Sequence, residues 1–312
     1  MMKQYKISLI VPIYGVEKYI GKFAETALGQ TYPDIQFVFV NDGTKDRSME
    51  ILENLIEEKF AHLKSRITII NKENGGLPSA RKAGLDAAEG EYVLFADSDD
   101  WLESDAVEKV MAKAEETDAD IVYFDLIKEY GHRSSYKRER EYSGATKMDF
   151  IVNMFNYKSF GYTVTKCFKR RLYTDNVIYM PKLGMHEDIY LMCQIIFHAE
   201  SLVHIPEALY HYRKDNPDSF CAQDKRKRHV SSTINLLDLY VHYRDNLKGS
   251  PIEKVAGSIL MRAGQHSIMH GYDFFKEYPF LAGDIRRTPV RRSYRTAVPM
   301  QIIVKIYSFF RR

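Results

Sequence analysis

Short apolar runs alternate with amphipathic segments along the first 125 residues of the chain. In the amphipathic segments, apolar residues recur three and four positions apart, which is the spacing of one helix face. Repeated strand–helix units of this kind are typical of a parallel sheet covered by helices. We predict five strands, at Ile7–Ile13, Ile35–Asn41, Arg66–Asn71, Glu91–Ala96 and Ile121–Asp125.

The alternation fades after residue 126. The polar and basic stretch 132–140 predicts a surface hairpin or loop. Helical spacing returns at Leu191, Ile195 and Ile196, and it dominates the chain beyond Pro217. The pattern therefore predicts an α/β fold, with a mostly parallel central sheet flanked by helices and a helical C-terminal extension.

Polar turns follow three of the predicted strands. Asn41-Asp42-Gly43-Thr44 ends the second strand, Asn74-Gly75-Gly76 follows the third, and Asp97-Ser98-Asp99-Asp100 follows the fourth. The carboxyl ends of parallel strands meet at one edge of an open sheet, where nucleotides bind. We expect these turns to form one site.

The three acids Asp97, Asp99 and Asp100 suggest a site for a divalent cation. Hard oxygen ligands suit Mg²⁺ or Mn²⁺, which neutralise phosphates. Capping of a helix from Leu102 is the alternative, but a cap needs only one acid, and crowded like charges cost stability unless they are offset.

The glycine turn leads into a small-residue helix that carries Arg81. Backbone N–H groups and Arg81 there could bind a diphosphate, or the segment could simply pack on the sheet. The chain contains neither a P-loop nor a Gly-x-Gly-x-x-Gly dinucleotide motif.

A second polar cluster, Met185-His186-Glu187-Asp188, precedes a predicted helix. Its acids would suit the first turn of that helix, where negative charge is stabilised. A carboxylate here could instead serve as a general base toward an acceptor hydroxyl. Both interpretations remain open at the level of the sequence.

Composition limits which binding partners and which compartment are expected. The 45 basic and 42 acidic residues nearly balance among 312, so nucleic acid is not expected as a partner. Three cysteines, at positions 167, 193 and 221, fit no zinc spacing and favour a reducing compartment. No apolar run approaches the roughly 20 residues needed to cross a bilayer.

The charge asymmetry lies in the tail, residues 282–312, where eight basic residues stand against one acid. Mixed with apolar residues, this composition predicts either peripheral contact with anionic lipid or a basic helix docked on the protein. We expect a cytoplasmic protein, with contact to the inner face of the cell membrane as one possibility.

Six motifs in order resemble the family 2 glycosyltransferases over about residues 5–215. They are Ile7 to Tyr14, Gln30-Thr31-Tyr32-Pro33, Val40 to Thr44, Gly76-Leu77 with Ala80-Arg81, Asp97 to Asp100, and Glu187-Asp188. The resemblance implies a GT-A domain over 1–215, with a nucleotide-sugar-binding half at 1–100 and an acceptor-binding half at 101–215. Residues 216–312 are expected to form a helical C-terminal region with a basic amphipathic tail.

On the donor side, the resemblance assigns Pro12 and Tyr14 to the nucleotide-contacting end of the first strand. Asp42 matches the acid that recognises the base, and Arg81 matches a basic donor-site position. Asp97 and Asp99 match the DxD motif for Mn²⁺ or Mg²⁺, with Asp99 as the direct metal ligand and Asp97 contacting ribose or metal.

Catalysis falls further along the chain. Asp188 matches the catalytic base, with Glu187 supporting it, and His211 and Arg213 are candidate phosphate contacts. The chain departs from the usual family residues at Gly15, Asn41 and Lys82, and the last two could alter donor recognition.

The resemblance implies inverting transfer from a nucleotide sugar, with UDP-sugars favoured. The acceptor would be a hydroxyl of a glycan or lipid-linked molecule in surface polysaccharide or lipopolysaccharide synthesis. Two alternatives stay open: transfer to polyprenyl phosphate, and an inactive sugar-nucleotide-binding scaffold.

Overall fold

The computed structural model describes residues 5–139, 146–219, 222, 224–269 and 272–287. Its first half alternates strands and helices, as the sequence pattern predicts. In chain order the elements are β1 (Ile7–Ile13), α1 (Ile20–Leu28), β2 (Ile35–Asn41), α2 (Ser48–Lys59), β3 (Ile67–Asn71), α3 (Leu77–Ala87), β4 (Tyr92–Phe95), β5 (Trp101–Leu102), α4 (Ala106–Thr117) and β6 (Ile121–Glu129).

The second half contains three further strands and most of the helices. They are β7 (Ser134–Lys137), α5 (Lys147–Phe155), β8 (Lys166–Lys169), α6 (Arg171–Thr174), α7 (Glu187–His198), β9 (Leu202–Arg213), α8 (Lys225–Tyr243), α9 (Ala256–Met269), α10 (Phe274–Glu277) and α11 (Leu281–Arg287). The predicted helical character beyond Pro217 is therefore confirmed for the described residues.

The strands form one sheet in the order β3-β2-β1-β4-β8-β6-β9-β5, with β7 paired to β6. Strands β3, β2, β1 and β4 are mutually parallel, so the predicted parallel arrangement is confirmed there. Beyond β4 the sheet is mixed, because β8 enters between β4 and β6 in the opposite direction. Strands β6 and β9 are again parallel, whereas β5 runs antiparallel to β9.

All five predicted strands are present, the first two with the predicted bounds and the other three with shifted ends. The predicted third strand began at Arg66, but that residue ends a short 3-10 helix. The predicted fifth strand ended at Asp125, whereas β6 continues to Glu129 because its end pairs with β7 in a hairpin. The hairpin confirms the prediction for residues 132–140 over the part of it that is described.

Close packing of α3 on the sheet fixes the position of the helix that carries Arg81. Every residue of β1 is buried, as expected for a parallel strand covered on both faces. A Cβ added to Gly84 would lie 2.2 Å from Cγ2 of Ile10 in β1, so only glycine allows this approach. Arg81 lies one helical turn before Gly84 and points from the same buried side.

The C-terminal helices contact the loop that precedes α7. Asn235 of α8 donates hydrogen bonds to the backbone carbonyls of Leu183 (2.7 Å) and Met185 (2.9 Å). Among the described residues, no helix is both long enough and apolar enough to cross a membrane. Helix α11 contains the first residues of the basic tail. Residues 288–312, which carry most of the basic residues for which lipid contact or docking was predicted, lie outside the described part of the chain.

Candidate functional site

The turn after β2 and the glycine turn before α3 are joined by one buried carboxylate. Asp42 Oδ1 accepts hydrogen bonds from the Gly75 N–H (3.0 Å) and from Lys72 Nζ (2.6 Å). Its Oδ2 accepts one from the Gly76 N–H (2.8 Å). Two of the three predicted turns therefore meet at the carboxyl edge of the sheet, as expected.

Arg81 connects the other predicted groups. Its Nη1 donates to Asp188 (2.6 Å) and Glu187 (3.2 Å), and its Nη2 donates to Asp97 (3.0 Å). The Arg81 side chain is only 2% exposed. One buried guanidinium thus joins the turn that carries Asp97 to the start of α7, ninety residues further along the chain.

Charge and burial act against each other in this cluster. Burial raises the pKa of the Asp97 carboxyl, and the Arg81 guanidinium opposes that rise. Burial and the charge of Asp188 raise the pKa of Glu187 well above its ordinary value. Burial alone would lower the pKa of Arg81, but the carboxylates of Asp188, Asp97 and Glu187 raise it, so the guanidinium stays charged.

Asp188 is held by one oxygen and leaves the other accessible. Its Oδ1 accepts from both Arg81 and the Thr163 hydroxyl (2.8 Å). Within the described residues, Oδ2 has no hydrogen-bond partner, and the side chain is 22% exposed. Glu187 and Asp188 also lie in the first turn of α7, as the capping interpretation predicts.

Thr163 is a site residue that the sequence did not reveal. It is fully buried in the loop between α5 and β8. Lys166 holds this loop, because its Nζ donates to the carbonyls of Phe160 (2.7 Å) and Tyr162 (3.1 Å). Burial lowers the pKa of Lys166 to about 8.

Asp100 anchors β9 beside the acidic turn, residues 97–100, and the alternative interpretation, capping of a helix from Leu102, is wrong. Residues 101–102 form β5, and the next helix, α4, begins only at Ala106. Asp100 Oδ2 accepts from the Tyr210 hydroxyl (2.7 Å), and Oδ1 accepts from the Arg213 N–H (2.7 Å). Burial and the charges of Asp99 and Asp97 raise the pKa of Asp100.

The remaining carboxylates of the turn suit a divalent cation. Asp97 and Asp99 are partly exposed. Among the described residues, Arg81 occupies Asp97 Oδ1 and Asn216 occupies Asp99 Oδ2 (2.7 Å), while the second oxygen of each has no partner. These two hard oxygens fit a cation that takes its other ligands from phosphate and water. No group of three or more acids, histidines or cysteines in the described chain forms a metal site by itself.

Comparison with known proteins decides the family. The sequence profile of glycosyl transferase family 2 matches residues 8–177. The chain belongs to this family. It is 35% identical to glycosyltransferase GlyA of Streptococcus pneumoniae over 68% of its own length but only 31% of the length of GlyA.

Solved structures show the same fold. The family 2 chain matches Staphylococcus aureus TarS 1–349, solved with UDP-GlcNAc, with a TM-score of 0.62, 21% identity and coverage of 89% of this chain and 79% of TarS 1–349. It also matches the mannosyltransferase PcManGT of Pyrobaculum calidifontis, solved with GDP-Man and Mn²⁺, with a TM-score of 0.53, 15% identity and coverage of 99% and 87%. The expected GT-A fold is therefore confirmed.

Of the two phosphate contacts that the family resemblance implies, only Arg213 touches the acidic turn. Its Nε donates to the Asp99 carbonyl (2.8 Å), and its guanidinium lies over the rings of Tyr19 and Trp101. His211 is instead held between Glu103 (2.7 Å) and Glu129 (2.8 Å). Both ring nitrogens of His211 therefore already have carboxylate partners.

The nucleotide-contacting residues expected from the family lie at the end of β1. The Pro12 carbonyl accepts a hydrogen bond from the Ser98 hydroxyl (2.7 Å), which ties β1 to the acidic turn. Tyr14 follows, and it is 55% exposed. An exposed ring here is available for contact with a bound base or ribose.

Proposed function

We propose that this family 2 protein moves a sugar from a nucleoside-diphosphate sugar, with UDP-sugars favoured, to a hydroxyl of a glycan or lipid-linked acceptor. The reaction would invert the anomeric carbon and would serve surface polysaccharide synthesis. One observation carries the proposal: buried Arg81 brings Asp97 of the donor-side turn together with Glu187 and Asp188. The donor site and the proposed base would then share the Arg81 guanidinium.

The names of related proteins support the substrate class. GlyA is a glycosyltransferase, TarS was solved with UDP-GlcNAc, and PcManGT was solved with GDP-Man and Mn²⁺. The basic excess in residues 282–312 supports an acceptor presented at a lipid surface.

In the proposed reaction, Asp188 takes the proton of the acceptor hydroxyl on Oδ2. Oδ1 stays bound to Arg81 and Thr163, so the carboxylate keeps one orientation during the transfer. The acceptor oxygen forms a bond to the anomeric carbon from the face opposite the diphosphate. The bond from that carbon to the diphosphate oxygen breaks, and its electron pair leaves with the nucleoside diphosphate. A single displacement inverts the configuration.

On the donor side, we propose that Asp42 contacts the base, and that Pro12 and Tyr14 line the nucleotide. A carboxylate offers about four acceptor positions, and three of those of Asp42 are used by Lys72, Gly75 and Gly76. One position remains for an N–H of a base. Arg213, at the acidic turn, is the better placed of the two proposed phosphate contacts, because His211 is already bound by two glutamates.

Asp97 and Asp99 would hold a divalent cation. A bound Mn²⁺ or Mg²⁺ supplies positive charge that offsets the charge developing on the departing diphosphate. Arg81 is ion-paired with Asp97 and stabilises that carboxylate in the absence of substrate.

The test is release of nucleoside diphosphate from a panel of UDP- and GDP-sugars by the purified protein with Mn²⁺. We expect one donor to be turned over by the wild type and by Glu57→Gln, a control at an exposed glutamate paired with Lys64. Asp99→Asn should lose about a hundredfold in rate, the scale of removing an electrostatic catalytic group. Tight nucleotide binding without turnover of any donor would contradict the proposal and indicate a binding scaffold.

A further inference from the structure

Tyr157 occupies a backbone position that ordinarily belongs to glycine. It follows the last turn of α5 with a φ of +55°, in the left-handed region. Its N–H donates to the Met154 carbonyl (3.1 Å), and the Lys158 N–H donates to the Asn153 carbonyl (2.9 Å). These two bonds form a Schellman motif, whose left-handed residue is usually glycine because a side chain is strained there. The strain of a large aromatic residue at this position has to be offset by a gain from its side chain.

The ring of Tyr157 is held firmly while most of it stays exposed. The Arg262 guanidinium lies 5.4 Å from the ring centroid, and the His186 ring lies 5.9 Å away at a tilt of 50°. The Tyr157 hydroxyl is 3.4 Å from His186 Nε2. Even so, 59% of the residue is exposed. The contacts therefore fix a flat aromatic surface that remains open to solvent.

This surface is linked to the proposed base through the contact of Tyr157 with His186. His186 directly precedes Glu187 and Asp188, and it too has a left-handed backbone, with a φ of +59°. The loop that begins at Tyr157 continues to Thr163, whose hydroxyl binds Asp188. Tyr157 is thus connected to Asp188 in two ways: through its contact with His186 and through the loop that leads to Thr163. Residues that are not glycine and are held in a left-handed backbone conformation by their surroundings are concentrated at binding and catalytic sites.

We propose that Tyr157 is a stacking platform for a pyranose ring of the acceptor, placed so that a hydroxyl of that sugar reaches Asp188. The negative face of an aromatic ring attracts the electropositive C–H groups on the apolar face of a sugar. The inference rests on the proposed transferase function and adds to it the class of acceptor: a glycosylated molecule that presents a pyranose.

The surroundings favour a sugar over a phosphate at this position. Arg262, whose guanidinium lies over the ring, is only 8% exposed, so little of its side chain is accessible to a ligand. Burial lowers the pKa of His186 to about 3, so its imidazole is neutral beside the ring. A flat apolar face beside a neutral imidazole suits a pyranose better than a polyol phosphate.

Glycine at position 157 separates the binding role of the ring from the backbone. Tyr157→Gly removes the platform while the left-handed conformation is adopted without strain, so we expect it to fold. Tyr157→Phe keeps the ring. Asp118→Gly is the matched control, because Asp118 is another left-handed residue at a helix end, with a φ of +50° after α4.

The assay is saturation-transfer NMR with UDP present, using methyl pyranosides of glucose, galactose, mannose, N-acetylglucosamine, N-acetylgalactosamine and rhamnose, with glycerol 3-phosphate as the polyol-phosphate probe. We expect at least one pyranoside to bind the wild type, Tyr157→Phe and Asp118→Gly. Tyr157→Gly should bind it about five- to tenfold more weakly, as expected for a lost aromatic contact.

Binding of UDP, followed by thermal shift in all four proteins, separates the two proposals. If neither UDP nor GDP, tested in the same way, stabilises the wild type, the proposed function fails. If UDP binds but no pyranoside does, if glycerol 3-phosphate binds in their place, or if Tyr157→Gly binds as well as Asp118→Gly, the stacking platform is refuted and the transferase proposal stands.

Discussion

Replacing Arg81 with methionine removes the cation shared by three carboxylates while keeping most of the volume of the side chain. Removing one partner of a buried ion pair costs about 3–5 kcal/mol, because the other charge is left without a partner. The side chains left behind are unequally buried: Glu187 is 10% exposed, whereas Asp188 and Asp97 are 22% and 29% exposed. Because water can partly solvate two of the three carboxylates, we expect the lower end, roughly 3 kcal/mol of lost unfolding free energy at pH 7.

Urea unfolding at pH 7 and pH 5 measures this cost and its origin. In Arg81→Met, the pKa values of the Asp97 and Glu187 carboxyls in the folded state should rise further above their unfolded values, because the guanidinium that opposes the rise is gone. The folded variant would then bind more protons than the unfolded chain as the pH falls, so its deficit relative to the wild type should shrink at pH 5.

Arg47→Met is the matched control, because Arg47 forms an exposed ion pair with Glu50 one helical turn away. We expect its unfolding midpoint to match that of the wild type at both pH values. If Arg81→Met were as stable as Arg47→Met, or if its deficit were the same at pH 5 as at pH 7, the account of Arg81 as a buried charge hub would be refuted.

Three further predictions follow from single contacts. Thr163→Val should lower kcat about tenfold in initial-rate assays, with the donor KM unchanged, because Asp188 loses one of two orienting hydrogen bonds. The unfolded chain should bind a proton at His186 below about pH 6.5 while the folded chain does not, so between pH 7 and pH 5 the wild type should lose about 2 kcal/mol more stability than His186→Gln in urea titrations. Gly84→Ala should cost about 2 kcal/mol of unfolding free energy in the same titrations, because its Cβ would overlap Ile10 by more than the gain in helix propensity can offset.

Each of these predictions has a control. Thr163→Ser should restore kcat, and a rate for Thr163→Val equal to the wild type would remove Thr163 from the site. Parallel pH profiles for the wild type and His186→Gln would show that this histidine does not titrate as argued. Gly283→Ala, where an added Cβ meets nothing within 4 Å, should be as stable as the wild type or more so. An equal effect at Gly84 and Gly283 would contradict the packing explanation.

The sequence was most informative where local pattern determines structure. The strands from Ile7 to Phe95 are short apolar runs bounded by polar turns, so both their existence and the sheet edge on which Asp42 and Asp97 lie could be predicted. Strand ends were less certain, since the part of β6 beyond Asp125 is held by pairing with both β7 and β9. Pairing partners of this kind are set by tertiary structure and leave little trace in local composition.

The contacts that organise the site could not be predicted from the sequence. Arg81 was expected at the diphosphate of the donor, yet in the structure it binds three carboxylates, two of them more than a hundred positions away. Asp100 was weighed as a helix cap but anchors β9. Thr163 and Tyr157 carry no motif, because a lone threonine or tyrosine in a loop gains significance only from what the fold places beside it.

The central claim is that Asp188 takes the proton of an acceptor hydroxyl, and kcat of Asp188→Asn tests it most directly. The amide keeps the shape of the side chain and can still accept from Arg81 and Thr163, so folding and donor binding should persist. The account predicts a fall in kcat of about a thousandfold, with the donor dissociation constant changed by less than about threefold. Near-normal turnover with donor binding intact would contradict it and would favour an acceptor that needs no base, such as polyprenyl phosphate.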